Sequence, residues 1–324
     1  MTMPPIDALV RICIPVFNDW EAVSLLLARL DDVASRWPTP LAVLLVDDGS
    51  SSPLPEALSG HPRALRSVDV LRLRRNLGHQ RAIAVGVTYI FEHLPCEAVV
   101  IMDGDGEDAP TDVPTLVDRC RLDQHKSIVF AARTKRSESL GFRLGYRMYK
   151  ALHVVLIGRK VEVGNFSVVP WDALCRLVAI SEIWNHYAAA VHKARLPVVH
   201  VPLPRARRLA GEPTMNLVAL VTHGLSAISV FSDEVGTRLL VATSTAVVTV
   251  IAALLVVVGI RAWTSLAIAG WATSAVGLLA VLLVNLFLVM TAAVVFVLQS
   301  RDRNSFVPLR DYHYFVLDTT SLHG

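Results

Sequence analysis

Six consecutive residues, Asp103-Gly104-Asp105-Gly106-Glu107-Asp108, carry four carboxylates around two glycines. Carboxylates crowded into one turn repel each other unless a cation neutralises them. Oxygen ligands of this kind suit Mg²⁺ or Mn²⁺, which commonly keep water and substrate phosphate in their remaining positions. Two further segments share the character: Pro15-Val16-Phe17-Asn18-Asp19 and Asp47-Asp48-Gly49-Ser50. Taken alone, the longest of the three would read equally well as an acidic surface turn. Neither a Gly-rich dinucleotide fingerprint nor a Walker A motif accompanies them, so the common nucleotide-site readings fail.

The elements between these segments supply their context. Short apolar runs at Arg11–Val16, Leu41–Val46, Val68–Leu73, Ala98–Met102 and Ser127–Ala132 read as strands. Helical patterns at Ala22–Ser35, Gln80–His93 and Val113–Asp123 alternate with them. Alternation of this kind implies an α/β fold with a mainly parallel sheet covered by helices. Ligands of such sheets bind beyond the carboxyl ends of the strands. All three acidic segments fall at strand ends, which favours a site over a surface turn.

Composition separates this part from the rest. The chain has 324 residues, 53% apolar and 18% charged, but the excess is local. Between Arg238 and Arg301 the only charged residue is Arg261. Without that block the remainder is about 48% apolar and about 22% charged, ordinary for a soluble domain. Leu239–Ile260 is an uncharged run long enough, at about 33 Å as a helix, to cross a bilayer. A second stretch, Ala262–Ser300, is densest between Ala275 and Leu298. Two spans with a turn near Arg261 are therefore expected. Arg238, Arg301 and Arg303 flank them, and the positive-inside rule places both termini and the catalytic face in the cytoplasm. Asn285 should face the partner helix or a neighbouring subunit. The basic aromatic stretch GFRLGYRMYKALHVVLIG and the helix Met215–Phe231 have an interfacial character. A net charge of +3 is too mild to point to nucleic acid. The four cysteines have no metal or disulfide spacing and read as free thiols. No signal peptide pattern opens the sequence.

With these residues in place a resemblance becomes specific. ICIPVFND, LLVDDGSS, RRNLGHQRAIAVG and IMDGDGEDAP are similar in order and spacing to family-two glycosyltransferases with a GT-A fold. VGNFSVVP, RRLAGEP and the two spans resemble the polyprenyl-phosphate branch of that family, which includes dolichol-phosphate mannose synthase-like and bacterial undecaprenyl-phosphate sugar transferase-like enzymes. The resemblance implies domains at 1–213 (catalytic), 214–237 (juxtamembrane helix), 238–300 (two spans) and 301–324 (tail). It implies metal-dependent, inverting transfer of a sugar from a UDP- or GDP-linked donor to a polyprenyl phosphate at the cytoplasmic membrane face, and a homo-oligomer, suspected to be a tetramer.

Its motifs also assign residues. Pro15, Val16, Asp19 and Asp48 would line the nucleotide, with Gly78, Gln80 and Asp103 beside it. Asp105 and Glu107 would hold Mg²⁺ or Mn²⁺ on the donor diphosphate. Arg133 and Arg143 would hold the acceptor lipid phosphate, and Arg208 would close over the nucleotide. Trp184, Asn185 and His186 fall where relatives carry sugar- or acceptor-side residues, although Trp184 reads as well as a packing residue.

Three positions depart from the family pattern. Gly211-Glu212-Pro213-Thr214 lacks the usual Ser and Lys of a GESK-like segment, Asn165 stands where some relatives carry Asp, and Ala109 replaces a Pro. Two alternatives share the sequence: a family-two transferase acting on a lipid-linked saccharide or polysaccharide, and a catalytically silent membrane scaffold that keeps the fold.

Overall fold

The computed structural model describes residues 8–55, 58, 63–133, 164–211, 224–264, 270–302 and 306–323, with no side-chain description at 133 or 300–302. The described residues up to 230, together with 306–323, form one compact unit; 231–264 and 270–302 belong to a second.

The first unit is built on an eight-stranded sheet. Its strands are β1 (Val10–Val16), β2 (Leu41–Asp47), β3 (Ser67–Leu73), β4 (Ala98–Ile101), β5 (Ile128–Arg133), β6 (Ser167–Pro170), β7 (Val198–Leu203) and β8 (Val316–His323). Their order is β7-β5-β6-β4-β1-β2-β3-β8. Pairing is parallel except that β6 runs against β4 and β5, and β8 against β3. Every residue of β2 is buried, which is why LAVLLV is a continuous apolar run rather than an alternating one. On β1, Ile12 and Ile14 point into one apolar layer and Cys13 into the other, as a period of two dictates.

Helices cover both faces. On one side lie α1 (Trp20–Arg36) and α3 (Val113–Leu122); on the other lie α2 (His79–His93), α4 (Trp171–Leu177) and α5 (Tyr187–Lys193). In α1 the buried residues Val23, Leu26, Leu27 and Leu30 recur at helical spacing, each contributing roughly 1.5–3 kcal/mol by leaving water. The strand order reverses at β1, which lies between β2 and β4. That reversal opens a crevice at the carboxyl ends of the strands. It positions the site.

At the opposite end of the sheet, Glu97 accepts hydrogen bonds from Arg121 Nε and Nη2 at 2.7 Å each and pairs with His125 Nε2 at 2.8 Å. Burial acts to raise the Glu97 pKa, but the Arg121 and His125 bonds outweigh it and hold it below the usual glutamate value. A depressed carboxylate contributes stability that is present above its unfolded pKa and lost as pH falls through the folded one. Glu97→Gln should therefore lower stability near neutral pH and flatten the acid limb of a stability-versus-pH curve. An unchanged acid limb would show that another carboxylate controls it.

The sequence treats 301–324 as a tail, and the structure gives most of it a structural task. β8 adds to β3 as an edge strand, and Arg72 bonds Asp318 through Nε and Nη2, each at 2.6 Å. Just before it, α8 (Pro308–Asp311) and Tyr312 pack against α2, with the Tyr312 hydroxyl 2.6 Å from Glu92 Oε2 and 2.7 Å from His93 Nε2. Phe306 stacks on Trp184 with centroids 3.8 Å apart, and Phe315 lies 5.0 Å from the same ring. Trp184 is thus a packing residue here.

The second unit is a helical hairpin of α6 (Ser232–Trp263) and α7 (Trp271–Asp302). Mean hydropathy reaches 2.5 in α6 and 2.8 in α7, and both could cross a membrane. Gly236, Thr243, Val247 and Val250, spaced by three, four or seven residues, are its buried positions on α6. Ala293 is buried on α7, and Ser244 Oγ lies 3.7 Å from Met290 Sδ across the pair. Most remaining apolar side chains are exposed, with Leu278 at 74% and Val248 at 67%. The turn lies later than expected, because Arg261 sits in the last turn of α6 and that helix continues to Trp263. Residues 232–237, expected in a juxtamembrane helix, belong to α6. The segments 134–163 and 212–223, and with them the first interfacial stretch, Arg143 and most of the GESK-like segment, lie outside the described residues.

Candidate active site

Three strand ends meet at the crevice. After β1 the chain turns through Asn18, whose φ of 53° lies in the left-handed region. Asn18 Oδ1 accepts from Ser51 N at 2.9 Å and Ser52 N at 3.1 Å, and its own N–H donates to Ser50 Oγ at 2.9 Å. This side chain fastens the β1 end to the β2 end. Sequence reasoning passed over it because an Asn in a polar turn has no distinctive pattern. Gly49 (φ 72°) completes the β2 turn, and a Cβ there would lie 2.6 Å from backbone atoms of Arg75 and Asn76. Only glycine fits.

Asp48 is 2% exposed and accepts from Leu77 N at 2.7 Å and Gly78 N at 2.8 Å. Burial pushes its pKa up against the pull of these two bonds. Both oxygens thus tether the entry of α2, while Pro15 and Val16 lie buried at the end of β1. Gln80, one residue into α2, donates from Nε2 to Asn165 Oδ1 at 3.1 Å and accepts from Tyr187 N at 2.8 Å. Asn165 Nδ2 lies 2.9 Å from His79 Nε2, and that nitrogen lies 3.2 Å from Asp103 Oδ1. A polar relay therefore runs from the start of α5 through Gln80, Asn165 and His79 to the acidic turn. Burial acts to lower the His79 pKa, but the charge and hydrogen bond of Asp103, with Asp48 and Asp105 behind them, raise it overall.

The acidic turn is folded by its own carboxylates. Asp108 Oδ2 accepts from Asp103 N and Asp105 Oδ1 from Glu107 N, both at 2.9 Å. Asp105 Oδ2 is left facing Arg208 Nη1 at 3.2 Å, and Arg208 Nη2 also pairs with Asp19. Arg205 pairs with Glu107. The structure thus brings together Asp19, Asp48, Gly78, Gln80, Asp103, Asp105, Glu107 and Arg208. Arg133 ends β5, in register with Leu203, and its side chain is outside the description. Arg205 had no signal in the sequence beyond its place after a strand.

The donor chemistry of the turn fits a hard divalent ion. Asp105 and Glu107 present carboxylate oxygens that already gather cationic groups. Among the described residues no three His, Cys, Asp or Glu side chains form a ready-made cage. A metal here would need substrate phosphate and water to complete its shell, as Mg²⁺ commonly does.

Paired carboxylates and arginines thus gather at the switch point of a helix-covered, mostly parallel sheet. Residues 11–174 match the model of glycosyl transferase family 2. The chain belongs to that family and is a glycosyltransferase. It is 25% identical over 228 residues to the uncharacterized glycosyltransferase YkcC of Bacillus subtilis (strain 168), covering 69% of this chain and 68% of that one. The undecaprenyl-phosphate 4-deoxy-4-formamido-L-arabinose transferase of Edwardsiella ictaluri (strain 93-146) is 27% identical over 70% of this chain and 72% of its own. The transferase of the same name from Klebsiella pneumoniae (strain 342) is 29% identical, but the match spans 47% of this chain and less than half, 45%, of the relative. Among solved structures, glucosyl-3-phosphoglycerate synthase from Mycobacterium tuberculosis, in complex with Mn²⁺, UDP and glucosyl-3-phosphoglycerate, superposes with a TM-score of 0.51 at 15% identity, covering 70% of this chain and 80% of that one. Mannosyl-3-phosphoglycerate synthase from Rubrobacter xylanophilus gives 0.51 at 16% identity, over 70% and 77%. At such identities the likeness establishes the fold alone.

Proposed function

We propose that this glycosyltransferase moves a sugar from a UDP- or GDP-linked donor to a polyprenyl phosphate, with inversion, at the cytoplasmic face of a membrane. The observation that carries the reading is the acidic turn facing two arginines, in a chain that also holds a hairpin apolar enough to span a bilayer. The relatives named as undecaprenyl-phosphate transferases support the acceptor class.

Asp105 and Glu107 would hold Mg²⁺ or Mn²⁺, which would supply Lewis-acid stabilisation of the departing diphosphate. Asp19, Asp48, Gly78, Gln80 and Asp103, with Pro15 and Val16, shape the nucleotide side of the crevice. Arg208 bridges Asp19 and Asp105 and so stands where negative charge develops. A phosphate acceptor is already anionic near neutral pH, so positioning and charge neutralisation carry the step without a strong base. Arg133, at the end of β5, and Arg143 would steady that acceptor phosphate. Incubating the purified chain with undecaprenyl phosphate, Mg²⁺ or Mn²⁺ and a panel of UDP- and GDP-sugars should give a glycosylated lipid phosphate. A product formed only on a lipid-linked saccharide would move the reading to another acceptor class, and no turnover with any donor would refute it.

The arginines that flank the two apolar stretches, Arg238, Arg301 and Arg303, support a cytoplasmic side for both ends of the hairpin.

The hairpin also supports a homo-oligomer, for which the sequence resemblance suggests four copies. Asn285 lies midway along the apolar part of α7, is exposed, and donates from Nδ2 to Val281 O at 2.8 Å. Its carbonyl oxygen and second N–H face hydrocarbon unless another copy meets them. Asn285→Leu should weaken self-association roughly three- to thirtyfold, the range of about 0.6–2 kcal/mol for such bonds. Native mass spectrometry of nanodisc samples would measure this, and an unchanged oligomer distribution would remove Asn285 from the interface.

A further inference from the structure

The loop after β7 runs beside the acidic turn in the opposite sense. Ala206 N donates to Glu107 O at 3.0 Å and Leu209 N to Asp105 O at 2.9 Å. Gly106, with φ of 80°, leaves the space beside its Cα to the Leu209 side chain. The loop thus has a seat built into the backbone of the turn. From it Arg205 reaches Glu107, and Arg208 reaches Asp105 and Asp19. Arg208 is further fixed by its Nε bond to Ala210 O at 2.7 Å. The two carboxylates that would hold the metal each carry a guanidinium.

This arrangement has a charge consequence. A divalent ion arriving alone adds two positive charges where the carboxylates are already paired. It must displace Arg205 from Glu107 and Arg208 from Asp105, leaving Arg208 to Asp19 and Arg205 without the carboxylate it held. A divalent ion arriving with a donor diphosphate adds no net charge, because the diphosphate brings about two negative ones. The arginines can then exchange carboxylate for phosphate, a partner that suits their planar fork equally well.

We propose that Arg205 is a second donor-phosphate ligand, held with Arg208 on the metal-binding carboxylates in the donor-free protein. It passes to the diphosphate when metal and donor bind together. This rests on the nucleotide-sugar reading above and deepens it. Metal and nucleotide binding are thereby coupled, and the metal alone binds weakly. The missing Ser and Lys of the GESK-like segment fit this scheme, since the phosphate-binding charge is supplied upstream of Gly211.

The test uses the full chain in nanodiscs, with free Mn²⁺ followed by electron paramagnetic resonance, first alone and then with UDP or GDP. In the wild type, the matching nucleotide should tighten Mn²⁺ binding by about 10- to 100-fold, within the usual range of such couplings. Arg205→Ala should bind Mn²⁺ alone several-fold more tightly and show a smaller nucleotide enhancement. Arg205→Lys, which keeps the charge without the fork, should fall between the two. Thermal melting of each variant checks that the fold is intact. If the wild type turns over and shows the enhancement while Arg205→Ala titrates identically, the proposal for Arg205 is overturned and the function stands. If the wild type shows neither turnover nor enhancement with either nucleotide, the functional reading falls and takes this proposal with it.

Discussion

Asp105→Ala is expected to lower kcat/KM for sugar transfer by roughly a thousandfold, about 4 kcal/mol of transition-state stabilisation. The residue has two tasks that the variants separate. Its Oδ1 accepts from Glu107 N and shapes the turn, while its Oδ2 faces Arg208. Asp105→Asn retains a carbonyl oxygen for the turn but removes the charge. If charge at the diphosphate is what matters, the two variants should fall by similar factors. If turn shape dominates, asparagine should recover most of the activity. Transfer rates within tenfold of wild type for Asp105→Ala would show that this carboxylate is not at the reacting centre. Melting temperatures should remain close to wild type, because Asp105 lies at a loop rather than in either apolar layer.

The second large effect is on stability. Tyr312→Ala should destabilise the first unit by about 3 kcal/mol, the sum of a lost buried aromatic ring and lost hydrogen bonds. The ring is 4% exposed, and its hydroxyl donates to Glu92 while His93 Nε2 supplies the other contact. Burial, reinforced by the Glu92 charge, pushes the Tyr312 pKa up. The phenol therefore stays protonated, and a donor, throughout the neutral range. A loss of this size should lower Tm by roughly 6–12 °C in a domain of this length. Tyr312→Phe keeps the ring and should recover more than half of the loss. Thermal unfolding in detergent, followed by circular dichroism, would measure both. An unchanged Tm for the alanine variant would mean that the segment from Phe306 to His323 does not hold the sheet edge. Because α2 begins with His79 and Gln80, loosening its far end should also reduce activity beyond what unfolding explains.

Much of this was legible in the order of residues, for reasons that are local. Strands β1 to β5 announce themselves as short apolar runs and helices α1 to α3 through helical spacing, because the strands lie buried in the sheet and each helix packs against it. Both long helices follow from composition, since each carries an apolar stretch long enough to cross a membrane. The uncharged run ends at Ile260 because Arg261 interrupts it, yet α6 continues to Trp263. A long side chain in the last turn of a helix can instead extend its charge toward water. The acidic turn stood out because carboxylates crowded at a strand end are costly, whereas the roles of Asp105, Glu107 and Arg208 came from the family resemblance.

Other features depend on contacts between segments far apart in sequence. The pairing of β8 with β3 joins Asp318 to Arg72, and no local pattern in VLDTTSLH specifies an edge strand. Arg205 looked like one of several basic residues until the backbone pairs of the 204–211 loop seated it against Glu107. The chain from Tyr187 through Gln80 and Asn165 to His79 likewise exists only once α2, β6 and α5 meet. The sequence alone determined which chemical groups this protein carries and where two helices apolar enough to cross a membrane lie, because residue type and local periodicity report charge, burial and length. Tertiary structure decided which cation meets which carboxylate and how the chain closes its sheet after the hairpin. Those depend on proximity, and a linear pattern does not record it.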